Sequence, residues 1–353
     1  MDVAHAIALA KKYTKPRDER YSFVRFAPGF VRANTEGSGV IVACPDVTWD
    51  AAVDAAQLVL VVKKAGTAPT FTVDRSTLVI VGPGGSYRLQ GLDAKAVEKL
   101  GSPPESPRHF VELDEAAFKL LVRVAGLALV GDPSLSTVRV TPGWAASSRG
   151  NALAVGWFTD AAGTPLDIVR EPTTLDARFF ATLRGPMGLA MSKAFFWLSA
   201  GDVKRWTRRL EVPWPDSSMS GDNLAKLRNG GDDRRATTIE PNATRALFDA
   251  AFAAADSKAD AFKLVWSDRL KLTGGGVRGK FVGAVDVPVD SGRGVAGRVF
   301  GVAPSVWLRY LDAFVAVCAG PVYMSIAGPT DPAVLWGLQP RAFEVFIWPE
   351  YVA

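Results

Sequence analysis

The stretch Thr48–Leu92, TWDAAVDAAQLVLVVKKAGTAPTFTVDRSTLVIVGPGGSYRLQGL, runs two periodicities back to back, and its reading decides the fold. Its first part offers a cap candidate in Thr48, an acid in the first turn at Asp50, an apolar run, and then Lys63, Lys64 and Gly66, the order of signals from a helix start to a helix end. Its second part alternates apolar and polar residues around the turn signal GPGGS at 82–86, which predicts a hairpin-like pair of strands. A helix followed directly by several strands is therefore one unit, and the rest of the chain repeats it.

Ala4–Lys15 reads as a helix ahead of the alternating segment Tyr21–Ala43, in which Pro28-Gly29 marks a turn. In Asp114–Leu129 the residues Phe118, Leu121, Val122, Ala125 and Leu129 follow the spacing of a core-facing helix. Leu175–Gly185, Pro241–Lys258 and Ala303–Gly320 supply three further helix candidates, each followed by strand-like alternation. Six helix-then-strands units result, at a period of roughly 50 to 60 residues, and self-similar units of this kind are arranged around an axis or along a line. Helices that precede several strands, rather than alternating singly with them, predict an α+β fold of antiparallel sheet.

Two stretches rich in Pro, Gly, Ser and charge, around 100–110 and 212–237, read as joints. They divide the 353 residues into three domains, 1–104, 105–220 and 221–353, with a linker at about 213–237. The final stretch Ala342–Ala353, AFEVFIWPEYVA, is too apolar for a fraying terminus: it reads as a strand with Val345 and Ile347 facing inward and Phe346 and Trp348 on the opposite face.

Composition narrows the function. With 48% hydrophobic and 22% charged residues the chain is globular, and its longest apolar runs fall short of a membrane span. Asp2 precedes the first apolar stretch and Lys11 and Lys12 follow it, the reverse of a signal peptide, so an intracellular location is expected. Cys44 and Cys318 read as buried free thiols, and with His5 and His109 as the two histidines there is no raw material for a metal site or a His-dependent nucleophile. No cofactor and no catalysis are expected. GGGVRGK at 274–280 nearly writes a phosphate-binding loop, but Phe281 and the strand-like FVGAVDV after it leave no helix N-terminus, so a β-turn is the better reading. The pairs Asp232-Asp233 and Asp50 with Asp54 read as solvated charge. The 10 Trp and 19 Phe admit a module that stacks single-stranded bases, although strand and helix spacing assigns most of them to the core.

A net charge of +5 suits a polyanionic partner. Every helix candidate leaves basic residues outside its apolar stripe: Lys11, Lys12 and Lys15; Lys63 and Lys64; Lys119 and Arg123; Arg178 and Arg184; Arg245 and Lys258; and Arg309. On repeated units facing one way, these twelve would form a continuous surface for a phosphate backbone, bound without base readout.

Three stretches resemble the bacterial-type DNA sliding clamp, the β subunit processivity factor of the replicative polymerase. SSRGNALAV, Ser147–Val155, is similar to the family's Thr-Asp-Gly-His-Arg-Leu-Ala motif and keeps Gly150, Leu153 and Ala154. The segment Ala303–Gly337 resembles the last half-domain, and Glu344–Ala353 stands where clamps end in a hydrophobic strand and a Met-Pro-Met-Arg-like tail. The likeness spans the chain, with departures: Ser148-Arg149 for Thr-Asp, Asn151-Ala152 for His-Arg, Trp348-Pro349-Glu350 for Met-Pro-Met, and a basic balance where cellular clamps are acidic. Such departures fit a diverged member carried by a phage or another mobile element.

The resemblance implies a DNA clamp fold of three domains with two repeats each, closed head to tail into a homodimeric ring with helices lining the hole and sheets outside. It implies double-stranded DNA as a partner, and polymerase and clamp loader as partners through short hydrophobic peptides, in the cytoplasm at the nucleoid. Ser148, Gly150 and Leu153 on one side and Phe346 and Trp348 on the other would line the peptide groove. Thr70–Ser76, Ser86–Leu92 and Ala261–Leu270 are candidates for edges joining subunits. Two alternatives stand beside this reading: a monomeric basic nucleic-acid-binding scaffold that closes no ring, and a nucleotide hydrolase using Gly274–Lys280.

Overall fold

The computed structural model describes residues 1–18, 20–92, 96, 104–128, 136–149, 151–159, 164–180, 187–211, 236–257, 260–266, 269–276, 279–286, 298–317, 322–326, 332–337 and 342–350. The elements fall into six groups in chain order. The first is α1 (Val3–Lys11), β1 (Phe23–Ala27), β2 (Phe30–Asn34) and β3 (Ser38–Ala43). The second is β4 (Ala51–Asp54), α2 (Ala55–Ala65), β5 (Thr70–Asp74), β6 (Thr77–Gly82) and β7 (Gly85–Gln90). The third is β8 (Val111–Leu113), α3 (Glu115–Leu127), β9 (Thr137–Thr141), β10 (Trp144–Arg149) and β11 (Ala152–Trp157). The fourth is β12 (Thr173–Asp176), a short 3-10 turn at Ala177–Phe180 in the helix position, β13 (Met187–Met191), β14 (Phe195–Ala200) and β15 (Val203–Arg208). The fifth is β16 (Ala236–Ile239), α4 (Pro241–Ala254), β17 (Phe262–Trp266), β18 (Arg269–Gly276) and β19 (Gly279–Asp286). The sixth is β20 (Arg298–Val302), α5 (Pro304–Val317), β21 (Val322–Ile326), β22 (Ala333–Trp336) and β23 (Phe343–Ile347).

Each group after the first thus opens with a short strand that the helix-then-strands reading lacks. These strands pair far along the chain, β4 with β1, β8 with β13, β12 with β9, β16 with β21 and β20 with β17, so no local alternation announces them. The stretch beginning at Thr48 shows the consequence. Ala51–Asp54 is buried strand, and the helix begins at Ala55 with Asp54 as its cap, accepting from the N–H groups of Ala56 and Gln57 at 3.0 and 2.9 Å. Thr48 is not the cap, and Asp54 is not a bystander on a helix face. The second part of the stretch is three strands, with Pro83 and Gly84 in the turn between β6 and β7. Gly84 is there because a Cβ would stand 1.9 Å from the Lys64 carbonyl oxygen at the end of α2.

Two compact units result, Met1–Glu115 with Gly185–Arg209 and Ala116–Arg184 with Leu210–Ala353. The first holds an antiparallel sheet in the order β4-β1-β2-β3-β15-β14-β13-β8 and a smaller one, β5-β6-β7. Val3, Ala6, Ile7 and Ala10 of α1 and Leu58 of α2 pack with Val24, Phe26, Val31, Val40 and Val42 in one buried core. The second unit repeats the arrangement as β12-β9-β10-β11-β23-β22-β21-β16, and adds β19-β18-β17-β20. Here Phe248 of α4 stacks on Trp307 of α5 at 4.9 Å, and Phe314 of α5 meets Phe343 of β23 at 4.8 Å. Each large sheet is two four-stranded halves joined third strand to third strand, β3 to β15 and β11 to β23. The architecture is α+β with antiparallel sheets throughout.

Three expectations resolve at this level. Of GGGVRGK, Gly274–Gly276 and Gly279–Lys280 lie on the β18–β19 ladder, with Gly274 opposite Phe281 and Gly275 opposite Lys280, so these residues are strand and Lys280 begins no helix. Ala261–Leu270 supplies no free edge, because β17 pairs with β18 and β20 on its two sides. Trp197, Trp206 and Trp307 are fully buried and serve packing. Cys318, Asp232-Asp233 and nearly all of the linker at about 213–237 lie outside the described residues.

Candidate functional site: basic helices and a tryptophan cluster

The basic candidates divide by setting. Lys11 ends α1, Lys12 is its C-cap, and Lys63 and Lys64 close α2; all four are exposed, and all four stand where the helix dipole favours a cation. α1 packs on β1, β2 and β3, α2 packs on β4, β6 and β7, and the two helices touch each other in one shared core. Lys15 is exposed in the loop after α1.

In the second unit Lys119 is exposed on α3, Arg123 is half-buried beside it and Arg309 is half-buried on α5. Arg178 and Arg245 are exposed but engaged. Arg178 donates from Nε to both carboxylate oxygens of Asp176 at 2.9 and 3.0 Å, and Arg245 pairs across helices with Asp312. The bond to Asp176 holds the Arg178 guanidinium above its ordinary range, and that to Asp312 does the same for Arg245. Arg184 and Lys258 lie outside the described residues.

The groove candidates lie around β10, β11 and β23. Register places Ser148 opposite Leu153 and Leu153 opposite Phe346, so the three form one transverse row. Past β23 the ladder continues through the tail: Trp348 N–H donates to Asn151 O at 2.8 Å, and Asn151 Nδ2 donates to Trp348 O at 2.7 Å. Glu350 N–H donates to Gly301 O at 2.9 Å, so the tail is tied down on both sides. Gly150 lies outside the described residues.

Alternation along β23 holds: Phe343 packs on α5, and Phe346 points to the opposite face. Phe346 is nevertheless fully buried there. It forms the floor of a cluster with Ala146, Leu153, Val155 and Val334, while Trp144, Trp157, Trp336 and Trp348 pack around it and remain partly exposed. Trp144 and Trp157 are register partners 6.4 Å apart, and Trp336 stacks on Tyr323 at 5.7 Å. What this face presents to solvent is therefore tryptophan rim. Sequence reasoning missed Trp144, Trp157 and Trp336, which are far apart in the chain. The available signal was an aromatic at the end of each strand next to the Leu153–Phe346 row.

Among the described residues no group of three His, Cys, Asp or Glu is placed to hold a metal ion, and no helix is long and apolar enough to cross a membrane.

Six related groups, four of them joined third strand to third strand through β3–β15 and β11–β23, define the class: a repeated α+β architecture of antiparallel sheets. The particular structures the chain matches are sliding clamps: the β subunit of DNA polymerase from Streptococcus pyogenes, with a TM-score of 0.79 and 14% identity over 99% of this chain and 97% of that one. The DNA polymerase sliding clamp from Pseudomonas aeruginosa gives 0.78 and 14% over the same shares, and the DNA polymerase III β subunit from Thermotoga maritima 0.75 and 14%. No protein-family model and no curated protein sequence matches the chain. The chain has the sliding-clamp fold of bacterial DNA polymerase III β subunits, at an identity where shape persists and sequence does not.

Proposed function

We propose that this protein is a DNA sliding clamp, a processivity factor that encircles duplex DNA without reading its sequence and tethers polymerase and loader through the tryptophan-rimmed groove. The observation that carries the reading is the match to clamp structures along 99% of the chain. The proposal keeps three domains, 1–104, 105–220 and 221–353, and no catalysis. Lys11, Lys12, Lys15, Lys63, Lys64, Lys119, Arg123, Arg178, Arg184, Arg245, Lys258 and Arg309 are its DNA-facing residues, and Ser148, Gly150, Leu153, Phe346 and Trp348 its peptide groove. The cytoplasm, at the nucleoid, is its place of work.

Strand accounting supports a head-to-tail homodimer. Four of the six third strands are joined, β3 to β15 and β11 to β23, while β7 and β19 have one neighbour each among the described residues. A β7 edge on one copy and a β19 edge on the next are complementary and would close a ring, which removes exposed edges. Topology then supplies retention, and weak phosphate contacts leave the ring free to slide.

The test is retention on DNA. Loaded protein should stay on nicked circular DNA and be lost when the circle is cut. Equal retention on both forms would overturn encirclement. A monomer that binds short open oligonucleotides tightly without a loader would replace the reading by an open scaffold.

A further inference from the structure

We propose that the first unit carries an oxyanion site, built on Arg25 and Arg32, that takes a phosphoryl group on the sheet face away from α1 and α2. Val24, Phe26, Val31 and Ala33 are buried in the core those helices cover, so alternation turns Arg25 and Arg32 to the opposite face. The two are direct partners in the β1–β2 register. Side chains so placed stand about 5 Å apart at Cβ, and like charges there oppose each other. Arg32 pairs onward with Ile41, and Ile41 with Lys204, which sets three cations in one row across four strands. Lys204 is steadied at the end of that row: its Nζ lies 3.3 Å from Ser106 Oγ and 5.7 Å from the centre of the Phe110 ring.

Two further features point to a ligand. Both arginines are half-buried, and the Nε of Arg32 is buried with no hydrogen-bond acceptor among the described residues. A buried donor left so costs about 1–3 kcal/mol, which an oxyanion would relieve. Burial lowers the Arg25 guanidinium to about 10, with the neighbouring Arg32 charge acting in the same direction and exposed Asp50 against it. Burial lowers Arg32 too, again opposed by Asp50. Paired planar forks match the tetrahedral array of phosphate oxygens, to which each can donate two hydrogen bonds. Lys11, Lys12, Lys63 and Lys64 belong to helices covering the other face, so this site does not rest on the DNA-facing assignment.

Calorimetric titration of the full chain with inorganic phosphate, at constant ionic strength set by chloride, tests the site. Saturable binding is expected. Arg32→Met and Arg25→Met, which keep the apolar stem and remove the fork, should each weaken it at least about tenfold, one charge-assisted hydrogen bond. Arg32→Lys should weaken it several-fold, and Lys271→Gln, an exposed lysine of the second unit, should leave it unchanged. A second arm uses a short single-stranded oligonucleotide. Binding that competes with phosphate and falls in Arg32→Met identifies a phosphodiester as the source, whereas phosphate binding alone identifies a free phosphate. Should a variant fail to fold, the Arg Nε–H resonances of the unaltered protein decide, since one buried donor must shift on phosphate addition. No saturable binding of either probe, or binding indifferent to both Met variants, overturns the proposal.

Discussion

Asp54 sits where a strand becomes a helix, and its carboxylate accepts from two of the N–H groups that α2 would otherwise leave unsatisfied. Asp54→Ala should lower the unfolding free energy by about 1 kcal/mol in urea titration, and Asp54→Asn should restore most of it. Tyr310 on α5 makes a different prediction. Burial pushes its phenol up to about 12, with Arg149 pulling the other way, while an unfolded tyrosine ionises near about 10. A raised native pKa contributes stability that is fully present below about pH 10 and is lost as the pH climbs toward 12. The wild type should therefore lose roughly 2–3 kcal/mol more across that interval than Tyr310→Phe, in urea titrations at each pH. At this scale the sequence was legible in kind and not always in place: a cap was expected before α2, but Thr48 and Asp54 are equivalent on paper. Only the pairing of Ala51–Asp54 with β1 chooses between them.

The seams are the decisive elements. Between β3 and β15, Gly39 faces Trp206 so closely that an added Cβ would lie 2.1 Å from the indole, and Trp197 backs the ring at 5.1 Å. Gly39→Ala should cost on the order of 1–3 kcal/mol, read as a fall in melting temperature, because the ring has no room to give. The seam between β11 and β23 ends in the tail, where the carbonyl oxygen and the side-chain amide of Asn151 hold the Trp348 main chain and leave its indole partly exposed against the Phe346 cluster. Trp348→Ala should weaken binding of a polymerase-derived peptide, measured by fluorescence anisotropy, while dimer mass and melting temperature stay nearly unchanged. Stable peptide affinity in that variant would remove Trp348 from the groove. The tail's strand character and its two faces were legible from alternation alone. The depth of Phe346 was not, because the tryptophans that cover it come from β10, β11 and β22.

For the whole molecule, the edges β7 and β19 carry the assembly prediction. Val282 on β19 is 58% exposed, an unusual position for a large apolar side chain unless another surface covers it. Light scattering at micromolar concentration should give twice the 37.7 kDa chain mass, and Val282→Glu should shift it toward the monomer with the fold intact by circular dichroism. A dimer unmoved by that change would place the contact elsewhere.

Helix and strand content, the repetition and the α+β class followed from the sequence by itself, because periodicity and turn chemistry are local properties written along the chain; the resemblance to clamps rested on Ser147–Val155, Ala303–Gly337 and Glu344–Ala353. The leading strand of each group, the third-strand seams, the interior position of β17 and the tryptophan rim were decided only by tertiary structure. Each of these depends on which distant segment supplies the hydrogen-bonding partner, and residues that never neighbour one another in sequence carry no local mark of that choice.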